Sequence, residues 1–380
     1  MLDDVVIVGA GPAGAVAATL LAREGARVRL LDRADFPRGK LCGDTVNPGT
    51  LGILRRLGMA GAVDAAGLRV AGMLVTGEGV AIEGLYPDGL YGVALSRREL
   101  DWLLLEQALA AGVQFEPRTV VLRALVDGPA GSVTGVVVSV NSSERVIRSR
   151  VVIAGDGRRS TIAFGLGLAR HPRRPRRWAV GAYFENVEGT GRGLALGEMH
   201  IRSGRYIGVA PLPGGVTNVC VVKPSHAADG ALSDPGSFLR DELAGDPMLA
   251  PRFAGARLAA PPMVLGPLAV DPVGGPISGL LLAGDAAGFV DPMTGDGLRF
   301  AVQGGEMAAR AARRALDYGW AGVHAHLAAE RRREFVGKWR FNRALRAVVG
   351  SPTAVRLGGG VVSAVPALIS AIVRRAGDCG

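Results

Sequence analysis

Hydrophobic and polar positions change period several times along the chain, and each change marks an element. Val5–Val8 is a β-branched run, Ala15–Arg23 has helical composition, and Arg27–Leu31 is a second apolar run. Together they predict a strand–helix–strand unit. Pro48–Leu57 reads as a helix. Val70–Thr76 and Val80–Leu85 alternate around Gly77-Glu78-Gly79, which predicts a hairpin. Ser96 opens a helix as its N-cap, with Glu99 in the first turn. Val113–Phe115, Thr119–Leu122, Val133–Val140 and Val146–Val152 read as further strands. Trp178–Phe184, Leu194–Ile201, Tyr206–Val209 and Val216–Val222 follow at short intervals between glycine turns, which predicts an antiparallel sheet. Leu280–Ala283 is an apolar run suited to a buried strand, and helical spacing takes over from about Asp296. Trp320–Val349 predicts a long basic helix, and the segment after Ser351-Pro352 is apolar to Arg375.

A chain of 380 residues holds two domains or one domain with a large insertion. Hydrophobic residues make up 48% and charged residues 21%, a balance that excludes disorder as the organising principle. The formal charge is +10, concentrated in Arg170–Arg177 and Arg331–Arg346. Few aromatics interleave with these clusters and no nucleic-acid-binding motif accompanies them, so no nucleic acid is expected. The C-terminal cluster and its apolar tail leave two readings: packing on the core, or peripheral contact with an anionic membrane surface. Cys42, Cys220 and Cys379 lack metal-ligand or C-x-x-C spacing, which fits a reduced compartment; no metal is expected. No signal peptide is read at the N-terminus, and a cytoplasmic location is expected, with membrane association following only from the second reading of the tail.

Chemistry enters at Gly9-Ala10-Gly11-Pro12-Ala13-Gly14, a G-x-G-x-x-G in the turn between the first strand and helix, with Asp32 about 20 residues on. Gly9 permits the tight turn and Gly11 admits a pyrophosphate. Gly14 allows close helix–strand packing, and Asp32 accepts from a ribose hydroxyl. The context predicts dinucleotide binding, with Ala13 and Arg33 completing the contacts of this unit. Asp35–Asp44 reads on composition alone as a polar loop with one buried cysteine. Arg97 reads alone as a first-turn arginine, where the helix dipole favours an anionic partner for it.

The motifs Phe36-Pro37-Arg38-Gly39-Lys40-Leu41-Cys42-Gly43, Gly155-Asp156-Gly157 and Gly284-Asp285…Gly295-Asp296-Gly297, in this order after the glycine fingerprint, resemble FAD-dependent oxidoreductases of the geranylgeranyl reductase and p-hydroxybenzoate hydroxylase type. The resemblance implies an α/β protein. Its parts are a Rossmann-like (GR2-type) FAD-binding domain, an inserted antiparallel β-sheet substrate domain and a helical C-terminus. Residues 1–69, 95–175 and 263–318 form the first, 70–94 and 176–262 the second, and 319–380 the third. It further implies that Cys42 and Gly43 lie along FAD, with Asp44 near the ring. Arg97 meets the phosphates or ribityl chain, and Val121 lies beside the adenine. Asp156 braces the chain near the phosphates, and Gly157 permits the next turn. Asp285 holds the ribityl–pyrophosphate part, and the amides of Gly295, Gly297 and Leu298 face the pyrimidine edge.

One glycine fingerprint implies one resident dinucleotide, FAD, with NAD(P)H as a transient reductant. The substrate implied is a hydrophobic small molecule or lipid-like compound. Reductases of the family carry Tyr-x-Trp-x-Phe-Pro where this chain has Tyr206-Ile207-Gly208-Val209-Ala210-Pro211. The missing aromatics favour a flavin monooxygenase acting through a C4a-hydroperoxide over an alkene reductase, while Pro292–Gly297 resembles the reductase side. A halogenase ranks third because Trp-x-Trp-x-Ile-Pro is absent, and a non-catalytic carrier of the Rab escort type is the alternative outside enzymes. Asp44, Tyr206 and Asp296 are the candidates for proton transfer.

Overall fold

A computed structural model describes residues 2–77, 80–127, 131–173, 177–189, 193–226, 228–289, 293, 295–349 and 366–379. The turn at Glu78-Gly79, Pro292 and Thr294 of the turn expected to face the flavin, and part of the apolar tail expected after Ser351-Pro352 lie outside the described residues.

The strand Asp3–Val8 sits at the centre of a seven-stranded sheet because both of its faces are apolar. It pairs in parallel with Val28–Leu31 on one side and with Ser149–Ala154 on the other. Gln114–Glu116 extends the sheet beyond Val28–Leu31, and Leu280–Leu282 pairs in parallel with Val152–Ala154. The long strand Ser143–Ala154 serves two partners: its first half pairs antiparallel with Ser132–Val140, which pairs in turn with Val120–Asp127. Two helices cover one face. Pro12–Arg23 starts with proline in its first turn, where a missing N–H costs nothing, and buries almost every residue. Gly297–Tyr318 crosses it so closely that a Cβ on Gly305 would lie 2.4 Å from the Ala13 carbonyl oxygen. Alanines at 308, 309, 312 and 315 line the same buried face.

The second sheet has eight strands. Arg177–Glu185, Thr217–Pro224, Arg205–Pro211 and Leu196–Arg202 run antiparallel in that order, as the alternation predicted. Arg257–Leu258 and Met263–Leu265 pair antiparallel with the other edge of Arg177–Glu185, and the hairpin Gly72–Gly77/Val80–Leu85 completes the sheet; its join to Leu196–Arg202 is parallel, so the sheet is mixed. A hairpin from an earlier insertion can meet that edge in either direction, and alternation carries no directional information. Gly92–Ala94 departs from the expected grouping with the hairpin: it pairs with Thr45–Val46 and Leu68–Val70 in a small separate sheet. The short helices between Gly230 and Phe253 were not predicted; Leu239, Leu243 and Leu249 bury one face of the inserted sheet together with Val180, Ile207, Val219 and Val221.

The basic stretch forms the helix Val323–Val349, and Pro366–Gly377 is a further helix. Among the described residues no helix is long and apolar enough to cross a membrane.

Candidate functional site

A cavity of about 730 Å³ opens between the C-terminal ends of the parallel strands and the inserted sheet. Clefts beyond the carboxyl ends of parallel strands are where open α/β sheets hold ligands, because helix N-termini and loop amides converge there. One wall is the turn after Asp3–Val8. Gly9 has φ +94°, and a Cβ there would lie 2.5 Å from the Gly155 carbonyl oxygen. A Cβ on Gly14 would lie 1.8 Å from the Gly9 carbonyl oxygen, so Gly14 packs helix against strand and does not line the cavity. Gly11 faces open space, with Arg38 Nη2 3.5 Å from the position of a Cβ. That concavity is the approach a pyrophosphate needs.

Asp32 ends the second strand. Its carboxylate accepts from the backbone N–H of Ala10 (2.8 Å) and of Ala34 (2.9 Å), which aims it along the cavity edge. Ala13, Arg33, Cys42, Gly43, Asp44, Val121, Asp156, Gly157, Asp285, Gly295, Gly297 and Leu298 all border the same cavity. These residues come from well-separated chain segments, and the fold brings them together.

Arg97 also borders the cavity and is buried. Asp101, fully buried one turn on, accepts from its Nε (2.7 Å) and Nη2 (2.8 Å), and Arg38 Nη1 lies 3.2 Å from the same carboxylate. The bidentate clamp fixes the guanidinium plane. Arg33, Arg38, Lys40, Arg97, Arg158 and Arg159 thus surround one cavity. Burial and the neighbouring Arg97 push the Lys40 ammonium below its ordinary range, and burial with Arg159 lowers Arg158 to about 10. Crowded cations in a partly buried space favour an anion between them. Asp156 accepts at Oδ2 from the Thr161 N–H (2.8 Å), while its Oδ1 and Arg158 Nε are buried with no hydrogen-bond partner among the described residues. The orphaned Arg158 Nε, the Gly11 concavity and the cation cluster fit a dinucleotide diphosphate, whereas the Asp156 oxygen, an acceptor, suits a hydroxyl of the same dinucleotide. Arg38, Lys40, Arg158, Arg159 and Asp101 were not selected from sequence, although all lie within or next to the motifs quoted there.

The other wall is apolar. Met73, Met199, Tyr206, Val222, Leu265 and Met293 line it, and Tyr206 packs with Leu41, Ala179 and Leu268. At Gly208 a Cβ would meet nothing nearer than the Cys220 carbonyl oxygen at 3.8 Å, so the space vacated by the family aromatic is open.

Asp44 lies where the two walls meet, fully buried and with φ +52°. Its Oδ1 accepts from the Arg97 N–H (3.2 Å), its Oδ2 from Asn218 Nδ2, and the Tyr183 hydroxyl donates to it. Burial pushes its carboxyl up to about 6, and these donors act in the opposite direction. Tyr183 and Asn218 face each other across neighbouring strands, and sequence reasoning missed both. Asp296 is placed elsewhere: it does not line the cavity, and its carboxylate lies 3.0 Å from Lys338 Nζ and accepts from Asn342 (3.0 Å) and Asn47 (3.5 Å). The buried ammonium of Lys338 and the amide of Asn342 hold its side chain inside the protein, away from the cavity. Among the described residues no cluster suited to a metal ion occurs.

Residues 3–214 match the family described as FAD binding domain. The chain is 32% identical over 329 residues to digeranylgeranylglycerophospholipid reductase 1 of Methanopyrus kandleri, covering 83% of this chain and 81% of that protein. It is 32% identical over 334 residues to menaquinone reductase of Mycobacterium tuberculosis, covering 80% and 75%. The fold is shared with the flavin-dependent brominase Bmp2, with TM-score 0.85 and 21% identity over 100% of this chain and 94% of that one. The chain belongs to the FAD binding domain family and, within it, to the FAD-dependent oxidoreductases that include the geranylgeranyl reductases.

Proposed function

We propose that this FAD-dependent oxidoreductase reduces a carbon–carbon double bond in an apolar, lipid-like substrate. The observation that carries the reading is the division of the cavity: a cationic wall suited to the cofactor faces an apolar wall suited to a hydrocarbon, with the buried carboxyl of Asp44 at their junction. The two relatives at 32% identity are both named as reductases, of menaquinone and of a prenylated phospholipid, and this supports reduction over the oxygenation that the missing aromatics favoured.

Gly9, Gly11, Asp32, Arg97, Asp156 and Asp285 would hold FAD, and Arg38, Lys40 and Arg158 would neutralise its diphosphate. When bound, FAD supplies hydride chemistry. The chain's own part is to orient, to exclude water from the apolar wall and to manage protons. With one glycine fingerprint, electrons come from transient NAD(P)H or from another protein.

Oxygenation is the second reading, favoured by the open space at Gly208. Turnover with a polyprenyl substrate under ¹⁸O₂, followed by mass spectrometry, separates the two. Product two hydrogens heavier, formed equally well without oxygen, is expected; product carrying one labelled oxygen would establish the monooxygenase instead.

A further inference from the structure

We infer that Asp44 is the acid that supplies the proton for this reduction, with Tyr183 and Asn218 as its positioning residues and Tyr183 as its link to solvent. The inference rests on the reductase reading. Adding two hydrogens across a double bond needs a hydride and a proton, and the proton source must reach the cavity without flooding it with water.

Three candidates were read from sequence, and their surroundings separate them. Tyr206 lies in the apolar cluster with Leu41, Ala179, Val222 and Met293. Asp296 is ion-paired to Lys338 behind the cavity wall. Asp44 alone of the three is a buried carboxyl on the cavity wall. The groups facing it from every packed element are Arg97 at the start of its helix, Cys42 in its own loop, and Tyr183 and Cys220 from the inserted sheet. The one permanent cation among them, Arg97, is clamped in bidentate fashion by Asp101, which weakens its pull on Asp44, and burial outweighs what remains. A carboxyl in that state keeps its proton at pH values where an exposed one is ionised, burial raising it to about 6.

The donors are arranged for the form left after proton loss. Tyr183 and Asn218 both donate to the carboxylate, and Asn218 also donates to the Cys42 carbonyl (2.9 Å), which locks the loop under the sheet. Tyr183 is half-buried, whereas Asp44 and Asn218 are buried. Asp44 would give its proton to one carbon of the double bond; reduced FAD, when bound, would supply the hydride to the other carbon and be oxidised, so that the π bond is consumed and two C–H bonds form. Asp44, now a carboxylate, regains a proton from the Tyr183 hydroxyl, which takes one from water.

The test uses the purified flavoprotein, its Asp44→Asn and Tyr183→Phe variants, and two readouts. Difference infrared spectra against pH should show a carboxyl C=O band titrating near neutrality. The band should be absent in Asp44→Asn, and its midpoint in Tyr183→Phe should rise by about one pH unit, since a hydrogen bond to the charged form is lost. Anaerobic reoxidation of dithionite-reduced protein by a polyprenyl substrate, measured per bound flavin, should slow about 100-fold or more in Asp44→Asn. The wild-type rate should fall above the infrared midpoint, and that fall should move upward in Tyr183→Phe. Wild type that is not reoxidised by the substrate overturns the reductase reading and this role with it. Wild type that reacts while Asp44→Asn keeps its rate within about threefold overturns the role alone. If Asp44→Asn does not fold, a pH profile that Tyr183→Phe leaves unmoved likewise overturns the role.

Discussion

Replacing Lys338 by methionine removes an ammonium that is 1% exposed and lies between two carboxylates, 3.0 Å from Asp296 and 3.3 Å from Asp378. It also donates to the main-chain carbonyls of Arg375 and Ala376, so one side chain ties the helix Val323–Val349 to the start of the helix Gly297–Tyr318 and to the C-terminal segment. Asp378 keeps Arg299 at 2.6 Å, and Asp296 keeps the amides of Asn342 and Asn47. Breaking a buried pair from one side costs about 3–5 kcal/mol, and the amide donors that Asp296 retains place this case near about 3 kcal/mol. An unfolding entropy of roughly 2.1 cal/mol/K per residue amounts to about 0.8 kcal/mol/K for 380 residues, so Tm should fall by roughly 4 °C. A thermal scan followed by flavin fluorescence measures it. Adding Asp296→Asn to Lys338→Met should recover much of the loss, since a neutral amide needs no ammonium. A single variant within about 1 °C of wild type, or a double variant less stable than the single, would refute the buried-pair argument.

Gly11→Val should place a side chain in the concavity beside Arg38 and remove bound flavin; full flavin absorbance after purification would contradict the cofactor position. Stability should depend on pH through Asp44 with a definite sign. Its folded value lies above the ordinary 3.8, so its stabilising contribution is complete below about pH 4 and is lost as the pH rises through about 6. The stability of wild type relative to Asp44→Asn should therefore fall by about 3 kcal/mol between pH 4 and 7, measured by denaturant titration; no change would show an exposed carboxyl. Co-sedimentation with anionic vesicles should be seen at low salt and lost at high salt, through the exposed Arg332, Arg333, Arg340 and Arg343. No binding at low salt would leave this helix as ordinary packing.

Local chemistry was legible where its cause is local. The glycine fingerprint could be read because Gly9 needs a positive φ and Gly14 meets the Gly9 carbonyl only five residues away, contacts that any such strand–turn–helix forces. Ser96 caps its helix by accepting from the Glu99 N–H for the same reason. Strand alternation likewise marked out the inserted sheet, because a sheet with one face on a core has a side-chain period of two. What the sequence left open depends on which distant surfaces meet. Tyr183 and Asn218 are ordinary strand residues until the loop 38–44 is laid across them, and only that contact turns Asp44 from a loop aspartate into a desolvated acid. Asp296 reads as a flavin-loop carboxylate, yet its direction is set by Lys338 and Asn342, more than 40 residues further along. Alternation could not give the direction of the hairpin at the sheet edge, since parallel and antiparallel pairing expose the same faces. The sequence by itself determined the glycine turn and most of the elements; the tertiary structure decided the charge state and direction of the side chains, because burial and partner placement belong to the whole fold.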